Sequence, residues 1–488
     1  MKPSSQIGFE PTNGKRWAVG EYNGNNAWLY NPDNGALNNN NKYNSYQVRP
    51  LLESDVYDNA ALEFYELPLE EWYEVNRQCR RRKAMKPSCL IFQYHLVVQL
   101  VELVHEVGNM EYVMRVGICF MITVPRLREV LAADFGDRLV QTWYFNELNW
   151  WLEQYHLHPD SYSCRVGKGG LRAVQQFQEY VFEVSEGYTK DCYVASLDLQ
   201  SFFMSIDTEL AVRLMSRFIE EVYGGPHKNL LLYLTRIIYQ SLPQSHCVIK
   251  SNERMWLGFP KSKSLRGKTN GIGIPIGNVT SQMLANFLTT FYLRYLSSLG
   301  YRFVHYTDDT AFVFRDKAQF LEDVGRFEWF LQTELHLTLH PHKRYIQHYS
   351  KGICMLGYKV RYDRTLPSDR IVHNLKWKVE CAIRKAEGSG CLYGEAPPRP
   401  NIAYMLREKD HFVQVINSYM GLMKWCNSYR LRREILERVA ASCWGTVLDI
   451  DRKNYLKVLP KKKYTTLEYY KRRNRKRKKE DLKKCRVV

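Results

Sequence analysis

The chain has 488 residues, 45% hydrophobic and 25% charged, enough for a sizeable core divided among roughly two to four subdomains. A formal net charge of +19 points to a polyanionic partner, nucleic acid before an anionic membrane, and 34 tyrosines and 11 tryptophans suit irregular or single-stranded nucleic acid, although most of these rings fill the core. Twelve scattered cysteines without a repeated close pair argue against a zinc ribbon; the opening lacks the apolar stretch of a secretory signal and no run of 18 or more apolar residues appears, so the simplest setting is a reduced cytoplasmic protein that spans no membrane.

Residues 1–50 are polar, asparagine-rich and nearly free of acid, with Asn38 to Asn41 consecutive. Ordinary globular sequence begins at Leu51. The stretch LEEWYEVNRQCRRRKAM reads as a helix that turns basic at Arg80, Arg81, Arg82 and Lys83, and residues 91–107 have helical apolar spacing. VGICFMITVP reads as a strand stopped by Pro125. Residues 171–185 read as a helix, 192–199 as a buried strand, and 208–223 and 229–242 as amphipathic helices. Gly271, Gly273 and Pro275 break the chain before a long helix that begins near Asn278. Residues 302–314 read as two short strands around a turn, followed by a helix, further strands to 360, and a mostly helical segment over 372–455. The end is a basic tail, a run more often solvated than shaped into a site. No repeat of solenoid length is present.

The sharpest chemical signal is FVHYTDDTAFVF. Asp308 and Asp309 sit side by side at an expected hairpin tip between β-type runs. Burying adjacent acids is costly, because like charges repel and desolvation penalises both; divalent cations remove that cost. The alternative is a solvated turn, where Asp is common. Asp198 ends an apolar strand ahead of Phe202 and Phe203, a position suited to a metal ligand or to a helix N-cap. Together the two places supply three carboxylates, as required by two Mg²⁺ ions roughly 3.5–4 Å apart in phosphoryl transfer.

SLDLQSFF followed by HYTDD resembles motifs A and C of reverse transcriptases. Further segments follow in that family's order: VPRLREVLAADFGDRLVQ resembles the first fingers motif, SYSCRVGKGGLRAVQ the second, GIGIPIGNVTSQMLANF motif B, LTLHPHKRYIQ motif D and KGICMLGYKV motif E. The likeness covers about residues 70–360, with a thumb to about 445. It implies an α+β right-hand polymerase: N-terminal helices and fingers over 51–190, a palm of antiparallel sheet and helices over 191–360 with a fingers insertion at about 208–270, a helical thumb over 361–455, and a tail over 456–488 that binds template. It implies metal ligation by Asp198, Asp308 and Asp309, with the Leu199 carbonyl as a further ligand, for two Mg²⁺ ions or Mn²⁺ in their place. Arg165 and Lys168 would meet triphosphate and Arg126 and Arg128 template; plain surface charge is the alternative for each. Phe203 stands where the family has its gate against a ribose 2′-hydroxyl, with core packing as the alternative. Lys343 would protonate pyrophosphate or be simply solvated.

Ile276-Gly277-Asn278 followed by Ser281-Gln282 resembles motif B of the reverse transcriptases of diversity-generating retroelements. Those polymerases copy a template repeat into cDNA with errors at adenines, and the cDNA replaces a variable repeat in a target gene. The resemblance implies template RNA, cDNA and dNTPs as partners, a small basic helical-bundle accessory protein acting in trans, and a bacterial or phage origin in the cytoplasm. Asparagine codons are adenine-rich, and residues 17–50, closing on VRP, resemble a translated repeat of such an element. Residues 1–50 are therefore expected to need no fold. Alternatives are a retron, group II intron or phage-defence reverse transcriptase, a catalytically dead nucleic-acid-binding scaffold, and a lectin-like binding module; fifty residues cannot build the last of these alone.

Overall fold

The computed structural model describes residues 64–123, 126–268, 270–387, 400–461 and 464, and the backbone strands within 17–41. Those strands, β1 (Trp17–Asn23), β2 (Asn26–Asn31) and β3 (Ala36–Asn41), form an antiparallel meander with β2 central. The asparagine-rich segment, expected to need no fold, thus takes up strand structure. Most of the basic tail lies outside the described residues.

Helix α1 (Leu69–Arg80) ends where the basic run begins. The single helix expected over 91–107 is two, α2 (Pro87–Tyr94) and α3 (Leu96–Gly108), bent by 92° at His95. His95 leaves helical geometry between them, at φ −111° and ψ 29°, and both halves reach the main core, α2 through Phe92 against Phe135 and α3 through Leu100, Leu103 and Val107. Strands β4 (Gly117–Ile122) and β5 (Arg128–Ala132) pair antiparallel. They lead into α4 (Phe135–Tyr155), capped by the Asp134 carboxylate, which accepts from the Gly136 amide at 2.9 Å. α4 is apolar on nearly every side and runs through the main core, with Trp143 stacked on Trp72 at 5.6 Å.

α5 (Gly170–Val184) precedes β6 (Tyr193–Leu199), the short α6 (Phe202–Ser205), and the amphipathic α7 (Thr208–Val222) and α8 (Lys228–Gln240). The next strand, β7 (Cys247–Ile249), joins β4 in parallel. After α9 (Val279–Ser298) come β8 (Arg302–Tyr306), β9 (Asp309–Phe314), α10 (Lys317–Glu334) and β10 (Leu339–His348). The central sheet has the order β10-β6-β9-β8, every neighbour antiparallel.

Side chains alternate across this sheet. Ala195, Leu197, Leu199, Phe303, Phe312 and Phe314 face the main core with α4 and α9. Val194, Val304, Ala311 and Val313 face the other way, where Ala173, Val174 and Phe177 of α5 cover them. The same face continues along the strands to Ser196, Asp198 and Asp309.

Strands β11 (Ile353–Met355), β12 (Tyr358–Val360) and β13 (Thr365–Pro367) form a small antiparallel sheet. A separate core is built by α11 (Asp369–Glu387), α12 (Ile402–Met423) and α13 (Tyr429–Ala441) around Trp444. It continues into the hairpin β14 (Leu448–Ile450) and β15 (Val458–Pro460), where Asn417 bonds both backbone groups of Val458. The expected thumb boundary at 455 therefore falls inside a packed unit that includes Val458 and has Tyr464 against it. Among the described residues no single helix is long and apolar enough to cross a membrane.

Candidate active site

The two acid-bearing segments meet at the end of the central sheet. Asp198, the sixth residue of β6, stands in register with Asp309, the first residue of β9, and Tyr306 pairs with Asp309 from the other side. Thr307 and Asp308 make the turn, with Thr307 at a φ of +61°. The Leu199 amide donates to the Asp308 carbonyl at 3.0 Å, tying the turn to the end of β6. Asp198 is no helix cap: it lies inside the ladder and is nearly buried.

Burial holds the Asp308 carboxyl above its ordinary range, the Asp198 charge adds to the shift, and Lys343 and Arg128 oppose it. Asp309 is raised further, by burial first and then by Asp308 and Asp198. Lys343 donates to Asp198 Oδ2 at 2.6 Å. This ammonium and the carboxylates give the site one close cation among three acids that repel one another. Among the described residues no three His, Cys, Asp or Glu side chains converge as a ready-made chelate. The donor chemistry nevertheless suits a hard divalent cation, since three carboxylates gathered at one sheet end, with Asp308 and Asp309 raised in proton affinity, are hard oxygen ligands short of positive charge.

Phe203 and Ile276, far apart in sequence, come together. Both are half-buried against Cys119, Leu131, Met204 and Leu265, and the Ile274 amide donates to the Phe203 carbonyl at 2.8 Å. Phe202, by contrast, is a core residue. Arg126 and Arg128 are exposed at the start of β5, and the Arg128 charge is felt at Asp308.

Arg165 has a different environment from the one expected of a phosphate ligand. Its guanidinium donates to both oxygens of Glu153 and to the carbonyls of His158 and Ser161, and its side chain is 6% exposed. These bonds close the corner between α4 and α5 and engage four of the five guanidinium N–H groups. Lys168 donates to the Pro159 carbonyl at 2.7 Å and lies over the Tyr162 ring, half-exposed.

Sequence reading missed Glu129. This buried carboxylate accepts from Trp256 Nε1 at 2.7 Å, Ser264 Oγ at 2.5 Å and the Leu265 amide at 2.7 Å, clamping the basic segment 250–268 onto β5. Only the place of Glu129 between Arg128 and apolar Val130 hinted at an inward-facing acid. A cavity of about 380 Å³ opens beside Asp309, between Tyr306 on the central sheet and Met355, Leu356 and Arg370.

A central antiparallel sheet with helices behind it, paired acids at its exposed end and a separate helical unit beyond defines a right-hand polymerase fold. Residues 127–360 match the family model for reverse transcriptase (RNA-dependent DNA polymerase), which indicates an RNA-directed DNA polymerase domain, a nucleotidyltransferase, in this part of the chain. No curated protein matches the chain. Similar solved structures include apo telomerase from Candida tropicalis truncated from its C-terminal domain, at 10% identity and a TM-score of 0.37 over 52% of this chain and 55% of that one. Another is telomerase from Candida albicans with a TWJ fragment of telomeric RNA, at 8% identity and a TM-score of 0.39 over 68% of this chain and 57% of that one. The Candida tropicalis telomerase with the same kind of fragment gives 9% and 0.39 over 66% and 54%. The chain thus spans a little over half the length of these telomerase chains, and likenesses this loose bear on no individual residue.

Proposed function

We propose that the chain is an RNA-directed DNA polymerase that makes error-prone cDNA from a template repeat RNA, with errors directed to adenines, for diversification of a target gene. The observation that supports the polymerase chemistry most is the pairing of Asp198 with Asp309 across β6 and β9, with Asp308 in the adjoining turn and burial raising both members of the Asp-Asp step. The motif B sequence from Ile276 to Gln282 and the asparagine-rich repeat-like segment support the narrower reading.

In this reading Asp198, Asp308 and Asp309 hold two Mg²⁺ ions, with the Leu199 carbonyl as a further ligand. When bound, the ions lower the pKa of the primer 3′-hydroxyl and neutralise charge on the triphosphate and the leaving pyrophosphate. Phe203 and Ile276 wall the sugar of the incoming dNTP. Lys168 and Arg128 supply positive charge toward the triphosphate, Arg126 meets template, and Arg165 fixes the loop that carries Lys168 instead of touching phosphate. Fingers occupy 51–190, palm 191–360 with its insertion near 208–270, and thumb 361–460, ahead of a template-binding tail. A small basic helical-bundle protein acts in trans.

The test is primer extension on one adenine-containing RNA template, with the cDNA sequenced. In accurate reverse transcriptases the residue at the place of Ile276 is usually Gln. Ile276 offers no hydrogen-bonding group, and one lost bond of about 1 kcal/mol corresponds to roughly a factor of 5 in discrimination. Ile276→Gln is expected to reduce misincorporation at adenine by about that factor, with little change at other bases. An error rate at adenine no higher than at other template bases in the wild type refutes the mutagenic reading and leaves the polymerase.

A further inference from the structure

The strongest unexplained feature is the way β10 passes Asp198. Leu339 pairs with Leu199 and Arg344 with Leu197, so the single residue Asp198 faces four residues of β10, His340 to Lys343. The ladder resumes on both sides: the Gln200 amide donates to the Thr338 carbonyl at 2.8 Å, and pairing runs unbroken from Arg344 to His348. The intervening strap is out of register. Pro341 cannot donate to any ladder, and the His342 amide donates to His340 Nδ1 at 3.2 Å within the strap itself.

From this strap Lys343 returns to the sheet and donates to Asp198 Oδ2 at 2.6 Å, its own side chain 53% exposed and that of Asp198 9% exposed. The charges around the pair are Asp308 and Asp309 from the turn and Arg128 from β5; Arg344, the next cation on β10, is engaged with Glu328. Lys343 is thus a cation in direct contact with the acid site, and it sits at the end of the out-of-register strap.

We infer that Lys343 is a resident counter-ion that exchanges with the divalent cation: it holds Asp198 in the metal-free protein, leaves when the cation takes that carboxylate, and is thereby freed toward solvent and the leaving group only once the site is loaded. The inference rests on the polymerase reading of the three acids. It follows from charge and geometry. The ammonium at 2.6 Å occupies one face of Asp198 Oδ2, and a divalent ion taking the same carboxylate brings its charge against the ammonium at close range, where repulsion opposes holding both. The bulge supplies the slack the exchange needs.

Two measurements on the full chain test this, both independent of turnover. The first is Mn²⁺ binding followed by electron paramagnetic resonance, without nucleic acid. Lys343→Met removes the competitor and is expected to tighten the first Mn²⁺ about 10-fold, the scale of a partly buried ion pair, while Lys343→Arg stays within about 3-fold of wild type. The second is acylation of lysines read by mass spectrometry. Lys343 labelling is expected to rise severalfold when Mn²⁺ is added to the wild type, and to be high without Mn²⁺ in Asp198→Asn. Unchanged or weaker Mn²⁺ binding in Lys343→Met, or Lys343 labelling indifferent to Mn²⁺, overturns the exchange. Primer extension by Asp198→Asn separates the two levels: if that variant has lost extension, such a failure leaves the polymerase reading standing; if it extends normally, both fall.

Discussion

Asp309→Asn is expected to make the metal-free protein more stable while destroying its activity. Asp198 and Asp309 are cross-strand partners, and such pairs hold their Cβ atoms about 5 Å apart. Two like charges at that separation repel by about 3 kcal/mol at an effective dielectric of about 20. Lys343, partial protonation and the solvent exposure of Asp309 at the sheet end relieve much of this, and the partial desolvation of its carboxylate adds a cost that an amide does not carry. A net gain of about 1–2 kcal/mol remains, or roughly 2–4 °C in Tm for a large domain. With Mg²⁺ the order should reverse. The wild type gains about 2.7 kcal/mol at a concentration 100 times its Kd, whereas the variant has lost a ligand. The assay is a pair of melts, in chelator and in Mg²⁺, beside primer extension, which should fall by several orders of magnitude. A variant less stable than wild type in chelator would mean that the Asp309 carboxylate is satisfied by protein groups alone, and the electrostatic account of the site would be wrong.

Glu129→Ala strips the acceptor from three donors and should cost about 3 kcal/mol, with the Leu265 amide exchanging faster and Trp256 fluorescence shifting; a loss spread evenly over the protein would contradict the clamp. Arg165→Met leaves Glu153 and two carbonyls unpartnered and should lower stability by about 2–4 kcal/mol in denaturant melts; wild-type stability combined with weaker dNTP binding would restore Arg165 to the phosphate site. Burial and the Glu106 charge raise the Glu102 carboxyl to about 7, so its contribution to stability is full below about 4.5 and is lost as pH rises through 7. Glu102→Gln should therefore stabilise at pH 8 by about 1–2 kcal/mol, discounted for partial exposure, and have little effect at pH 4.5; equal effects at both pH values would rule out ionisation as the cause.

What was legible in the sequence was whatever a short-range pattern carries. The Asp308–Asp309 step could be placed at a turn because period-2 apolar runs flank it, and β8 and β9 end on either side of it. The amphipathic helices α5, α7 and α8 fall within two residues of their expected ends, because one buried and one exposed face give a 3.6-residue signal. α4 gave no such signal, because it is buried on most sides and its exposed stripe at Asn146, Trp150 and Gln154 includes a tryptophan. The bend at His95 was hidden because both halves are apolar and only their partners differ. Arg165 and Lys343 look alike in sequence as basic residues within motifs; what separates their tasks is a partner on another element, Glu153 in one case and Asp198 in the other.

The same apolar pattern that builds the sheet also aims its acids. On β6, Val194 fits beneath α5, and the alternation that puts it there carries Ser196 and Asp198 onto the same face. On β9, Val313 and Ala311 do the same for Asp309. A slip of one residue would drive Asp198 into the core that holds Leu197 and Leu199, where an ionised carboxylate has no partner and the cost is several kcal/mol. Phe312 and Phe314 would be turned out of that core by the matching slip on β9. Register is thus held by aromatic and aliphatic packing far from the chemistry, and the acids need no local scaffold beyond the strands that end with them. α5 covers the Val194–Val313 end of the face, and at the Asp198–Asp309 end it is Lys343 of β10 that reaches the acids.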